Sequence, residues 1–155
     1  MRTTVVENLG VISKFSVKIA WKMMPDYVFY CTDSILSVYN TKDFIKKSIY
    51  FDRLSYVVDV TKQFVYYVPQ SGTKIVGGPT GLMVSEQVDA LTSDAIVTGA
   101  GKIEDIKLDE VAQILYYSDS EEGTITAFDL NARRGRVIYS SLKAPKELAL
   151  DLSDR

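Results

Sequence analysis

The stretch that decides the fold is ILYYSDSEEGTITAFDLNARRGRVIY, residues 114–139. It opens with an aromatic pair and passes through small polar residues to an aspartate and an acidic turn. An alternating strand follows, then a basic turn and another apolar strand. Alternation of apolar and polar residues between turn clusters is the signature of short, half-buried β-strands. The same reading holds along most of the chain. Phe15, Val17 and Ile19 alternate with Ser16, Lys18 and Ala20, and Val28 to Cys31 is apolar. Ile35, Ser37 and Tyr39 lead into a polar turn, Tyr56 to Val60 and Phe64 to Val68 are β-branched and aromatic runs, and Ile103, Ile106 and Leu108 lead into a strand ending near Asp109. QSGTKIVGGPTG, residues 70–81, breaks one strand between two turn clusters. Val84 to Leu91 is the one stretch with a partly helical pattern. The expectation is an all-β sandwich, barrel or propeller.

Repetition discriminates among the three. VFYCTDSILSVYN from Val28, FVYYVPQSGTKIV from Phe64 and ILYYSDSEEGTITAF from Ile114 share one order: apolar-aromatic strand, small polar turn, second strand. KIAWKMMPDY, YVVDVTKQFV and IKLDEVAQIL precede them, each an apolar strand and a short turn. Asp59 and Asp109 lie seven residues before Tyr66 and Tyr116. The steps from Tyr30 to Tyr66 to Tyr116 are 36 and 50 residues, which bracket the about 40–45 of a four-stranded propeller blade. Blade-like units then span about 28–63, 64–113 and 114–151, with 1–27 the end of a preceding unit, in one partial propeller domain over 1–155.

Composition narrows the chemistry. A chain of 155 residues with 46% hydrophobic and 25% charged residues has the proportions of one globular domain. The absence of histidine removes Ser-His-Asp and Cys-His catalysis and His-ligated zinc. The single Cys31 allows no internal disulfide and reads as a small buried hydrophobe. A net charge of -2 gives no case for nucleic acid or an anionic membrane. No apolar run approaches the about 18 residues of a membrane helix, so no membrane insertion by this segment is expected. The N-terminus lacks a secretory h-region, and no Asn-x-Ser/Thr acceptor occurs.

The last repeat resembles a class B (YWTD) repeat of the low-density-lipoprotein receptor family. Tyr116-Tyr117-Ser118-Asp119 stands on the Tyr-Trp-Thr-Asp tetrad. Asp129-Leu130-Asn131 with Arg133, Arg134 and Arg136 stands on the following turn, and Leu142, Pro145, Leu148, Ala149 and Asp151 on the closing strand. Tyr30-Cys31-Thr32-Asp33 is a second copy with Cys in the Trp place, and Tyr66-Tyr67-Val68-Pro69 a degenerate third. The resemblance covers most of the chain and is specific in its last 42 residues. It implies four-stranded antiparallel blades, about half of a six-bladed ring, whose aromatic residues, Tyr116 among them, pack between blades. Asp33 and Asp119 are then structural hydrogen-bond acceptors, and Pro69 leaves the middle blade a looser edge.

Three copies of a six-fold motif leave exposed blade faces, which favour assembly. Three readings follow: a fragment of a longer propeller, a half-ring that pairs with another half-ring, or a small self-associating β domain. The cysteine-rich modules that accompany the family are absent here.

GTKIVGGPTG lacks the end of a phosphate loop, and VTGAGKIED lacks the third glycine of a dinucleotide fingerprint. The acidic run 119–123 does not match the ligand spacing of an EF-hand. Neither a cofactor nor a metal is expected. Arg133, Arg134 and Arg136 read as a solvated turn or as a patch for an acidic partner. Two function classes remain. The resemblance implies a non-catalytic, protein-binding receptor segment, extracellular or at the cell surface. The alternative is a lactonase-like propeller hydrolase, which needs converging carboxylates that the sequence does not display.

Overall fold

The computed structural model describes residues 27–32, 35–40, 42, 46–50, 55–69, 71–79 and 95–152. Asp33, the Phe15–Ala20 alternation and the partly helical Val84–Leu91 stretch lie outside the described residues. Eleven strands are described, and none of the described residues is helical.

The strands form three antiparallel sheets in chain order. The first holds β1 (Tyr27–Thr32), β2 (Ile35–Asn40) and β3 (Lys46–Tyr50), paired as β1-β2-β3. The second is β4 (Tyr56–Asp59), β5 (Phe64–Tyr67), β6 (Ile75–Pro79) and β7 (Ala95–Val97). The third is β8 (Ile103–Asp109), β9 (Ile114–Asp119), β10 (Thr124–Asp129) and β11 (Arg134–Tyr139). Each sheet is a meander of consecutive strands, the architecture of a propeller blade. The second and third sheets begin one strand earlier than the aromatic repeat does. The physical reason is a tight turn after Asp59 and after Asp109, which folds β4 onto β5 and β8 onto β9.

That turn is a recurring device. Asp59, Asp109, Asp119 and Asp129 each end a strand, and each carboxylate accepts backbone N–H groups two or three residues on. Lys62 donates to Asp59 at 2.9 Å, Val111 and Ala112 to Asp109 at 3.0 and 2.8 Å. Glu121 and Glu122 donate to Asp119 at 3.1 and 3.0 Å, Asn131 and Ala132 to Asp129 at 2.8 Å each. Four residues after each aspartate the backbone is left-handed, at Gln63 (φ 51°), Gln113 (57°), Gly123 (65°) and Arg133 (51°). An Asx turn closed by a left-handed residue is a standard hairpin connection, because it matches the twist of the flanking strands.

The core lies between the second and third sheets. Tyr66, Val68, Ile75 and Val97 meet Ile103, Ile106, Leu115 and Phe128, all buried. Phe64 and Tyr66, on one face of β5, tilt their rings against each other at 4.8 Å between centroids. Gly77 sits opposite Tyr66 because no side chain fits there: a Cβ would come within 2.6 Å of the Phe64 ring and 2.7 Å of the Val65 carbonyl.

Candidate functional site

Where the second and third sheets meet, the inner strands β4 and β8 are joined by a polar ladder. The Ser55 hydroxyl, one residue before β4, donates to Asp105 at 2.6 Å and accepts the Ile106 N–H at 2.8 Å. The second carboxylate oxygen of Asp105 accepts the Lys107 ammonium at 2.6 Å and the Leu148 N–H at 2.9 Å. Burial would push the Asp105 carboxyl up, but Lys107, the Ser55 hydroxyl and the Leu148 N–H outweigh it and hold the group below its ordinary range. Ser118, in the Thr place of the tetrad, accepts the Asp105 N–H at 3.2 Å and donates to the Lys146 carbonyl at 2.5 Å.

Asp119 is spent in the same way. Besides its own turn, it accepts the Gly101 and Lys102 N–H groups at 2.8 and 2.9 Å, clamping the entry to β8. Burial raises its carboxyl, and the four backbone N–H groups more than compensate, so it too is held low. The fully buried Asp59 accepts the Gln113 side-chain amide at 2.7 Å, which ties the turn after β4 to the turn after β8. Burial, with a smaller contribution from the Asp59 charge, pushes the Tyr66 phenol up to about 12. Burial alone takes Tyr67 to about 12.

The two aromatic positions of the tetrad face opposite ways, as neighbours on a strand must. Tyr66 looks from the second sheet into the core against the third. Its counterpart Tyr116, paired with Lys107 and Ala127, lies on the far face of the third sheet and is only half-buried. Tyr117 turns back and packs against the core. Tyr30 and Thr32 are placed by backbone in β1. Pro145 is half-buried and Asp151 exposed, both in the tail that follows β11.

Arg133, Arg134 and Arg136 are exposed on the last turn and on β11, the outer edge of the third sheet, beside Val137 (54% exposed) and Tyr139 (62%). Arg133 reaches the Ala95 carbonyl at 3.4 Å. Among the described residues no group of three or more carboxylates, cysteines or histidines could hold a metal, and no helix is long and apolar enough to cross a membrane.

Sequence reasoning assigned no role to Ser55, Asp105 or Gln113, although a signal was there. Ser55, Asp105 and Glu147 each stand four residues before an aspartate, in SYVVD, DIKLD and ELALD.

No protein-family model and no curated protein matches the sequence. Solved structures do. A chain of a nidogen/laminin complex is 13% identical with a TM-score of 0.62, over 84% of this chain and 51% of that one. Kluyveromyces lactis Hsv2 is 14% identical with a TM-score of 0.53, over 81% of this chain and 38% of that one. The chain thus spans about half, or less, of the length of each. These neighbours are β-propellers, and the sheets described above make this chain a partial β-propeller of antiparallel blades.

Proposed function

We propose that the chain is a non-catalytic, protein-binding propeller segment of the low-density-lipoprotein receptor class B type, about half of a six-bladed ring, working outside the cell or at its surface. The observation that carries this reading is how the buried carboxylates are used. Asp59, Asp105, Asp109 and Asp119 all accept N–H groups that hold strands, turns or sheets together. A hydrolase needs such groups aimed at a substrate; a scaffold needs them where they are. The recognition surface would be the exposed turn and edge, where Arg133, Arg134 and Arg136 stand beside Tyr139; Arg and Tyr are enriched at protein interfaces. The likeness to a chain solved in a nidogen/laminin complex supports a binding role.

A peroxidase fused to the chain and applied to intact cells tests this reading. A defined set of surface or matrix proteins should be labelled, and lost with the R133A/R134A/R136A triple variant. Identical labelling by both, or turnover of ester or lactone substrates by the purified chain, overturns it.

A further inference from the structure

Strand β11 stands last in the order of the third sheet, and Arg134, Gly135, Arg136 and Val137 on it are all exposed. Gly135 has no side chain, so its exposure is exposure of the main chain itself.

The register says which backbone groups of β11 are free. Leu130 donates to the Gln113 carbonyl at 3.0 Å, in line with Asp129 opposite Ile114 and Phe128 opposite Leu115. Hydrogen-bonded and non-hydrogen-bonded pairs alternate along an antiparallel ladder. Leu130, Phe128 and Thr126 therefore turn their N–H and C=O groups to β9, and Asp129 and Ala127 turn theirs to β11. The partners of those two, Arg134 and Arg136, bond inwards to β10. Gly135 and Val137 point their N–H and C=O groups outwards from the edge.

Side chains add charge to that edge. Residues directly opposite share a face, so Arg134 and Arg136 stand on the face of Asp129 and Ala127. The register shift sets Tyr139, rather than Ile138, opposite Ile125 and so brings the exposed Tyr139 to the same face. Arg133 is held to the Ala95 carbonyl. Among the described residues the ion pairs are Lys102–Glu104 and Lys107–Asp105, and neither Arg134 nor Arg136 belongs to one.

We propose that β11 takes an extended acidic segment of another protein as an added strand. Outward backbone groups on a sheet edge are a template for pairing. Main-chain bonds give such an addition its affinity, and side chains at alternate positions give it selectivity. The incoming backbone bonds to Gly135 and Val137. Its carboxylates, two residues apart, lie against Arg134 and Arg136, and an apolar side chain lies beside Tyr139. A second copy of β11 would set arginine against arginine, so the edge selects an acidic partner over itself. This assignment rests on the reading of the arginine turn as the recognition surface, and adds the class of partner and the way it is held.

The probe is a fluorescein-labelled peptide of four Glu-Thr repeats, titrated into the purified chain and read by anisotropy. It should bind, and more weakly as salt rises, whereas a Lys-Thr peptide of equal length should not bind. In the paired register its threonines bond to β11 and its glutamate N–H groups face away. N-methylation of the threonines should therefore weaken binding at least about tenfold, and N-methylation of the glutamates should change it by less than about twofold. Val137→Pro removes an outward donor and no bond to β10, so it should keep the near-UV circular dichroism of wild type and weaken binding as threonine methylation does. R134A/R136A should abolish binding. In hydrogen exchange, the Gly135 and Val137 amides should exchange fast in the free chain and slowly with the peptide, and Arg136 slowly in both. Failure of the Glu-Thr peptide to bind overturns the proposal. So does binding that needs the arginines but is indifferent to V137P and to methylated threonines, an outcome that leaves the arginine turn as a recognition surface. That surface is judged separately by the cell labelling, which does not involve the peptide.

Discussion

The second and third sheets are built to one plan and differ in what covers them. In the second, Val65, Tyr66 and Tyr67 are consecutive and all buried, as are Ile75 and Val76, so both faces of β5 and β6 are covered. In the third, β9 buries Leu115 but leaves Tyr116 half-buried, and β11 is exposed along nearly its whole length. The repeat puts tyrosine at equivalent places, and neighbouring sheets decide whether it becomes core. A blade is a module whose stability is set by its contacts, as in other repeat proteins.

The comparison breaks most sharply at those two tyrosines. Tyr66→Ala should destabilise the chain by about 3–5 kcal/mol, the usual loss for a fully buried large aromatic. Tyr116→Ala should cost less than half of that, roughly 1–2 kcal/mol, because its face is only half covered. Urea denaturation of both variants reads the difference; equal losses would mean that the two faces are equivalent.

A second contrast is in pH. Asp105 and Asp119 titrate below the ordinary value of 3.8 in the folded chain. Their stabilisation is fully present above that value and is lost as pH falls, because the unfolded chain takes up protons first. The tyrosines run the other way: with folded values of about 12, Tyr66 and Tyr67 stabilise the fold below pH 10 and lose that contribution as pH rises from about 10 to 12. Melting temperature should therefore fall at both ends. Asp105→Asn should lower the plateau and flatten the acid limb, and Tyr67→Phe should flatten the alkaline one.

The smallest effect is expected at the turns. Gly123 meets the left-handed requirement at no steric cost, whereas Arg133 does so against its Cβ. Arg133→Gly should stabilise by up to about 1 kcal/mol, readable as a small rise in melting temperature. Gly123→Ala should go the other way, since its Cβ would lie 2.5 Å from the Leu142 carbonyl.

Much of this was legible beforehand. Alternation and turn residues announced the strands, and the spacing of Tyr30, Tyr66 and Tyr116 announced blades. Less legible were the contacts between sheets. Ser55 and Asp105 are 50 residues apart, and nothing local says that a serine hydroxyl and a carboxylate will meet. The face of each aromatic was hidden for a related reason: alternation shows that Tyr116 and Tyr117 point opposite ways, not which side has a neighbour.

The amino-acid sequence by itself determined the local elements: strand periodicity, the aspartate-closed turns and their repetition are properties of a few consecutive residues. Tertiary structure alone decided which repeats are covered, which carboxylates tie one sheet to the next, and that the tail lies beside β8, with the Leu148 N–H on the Asp105 carboxylate. Those outcomes depend on pairing between residues distant in the chain, which no local pattern encodes.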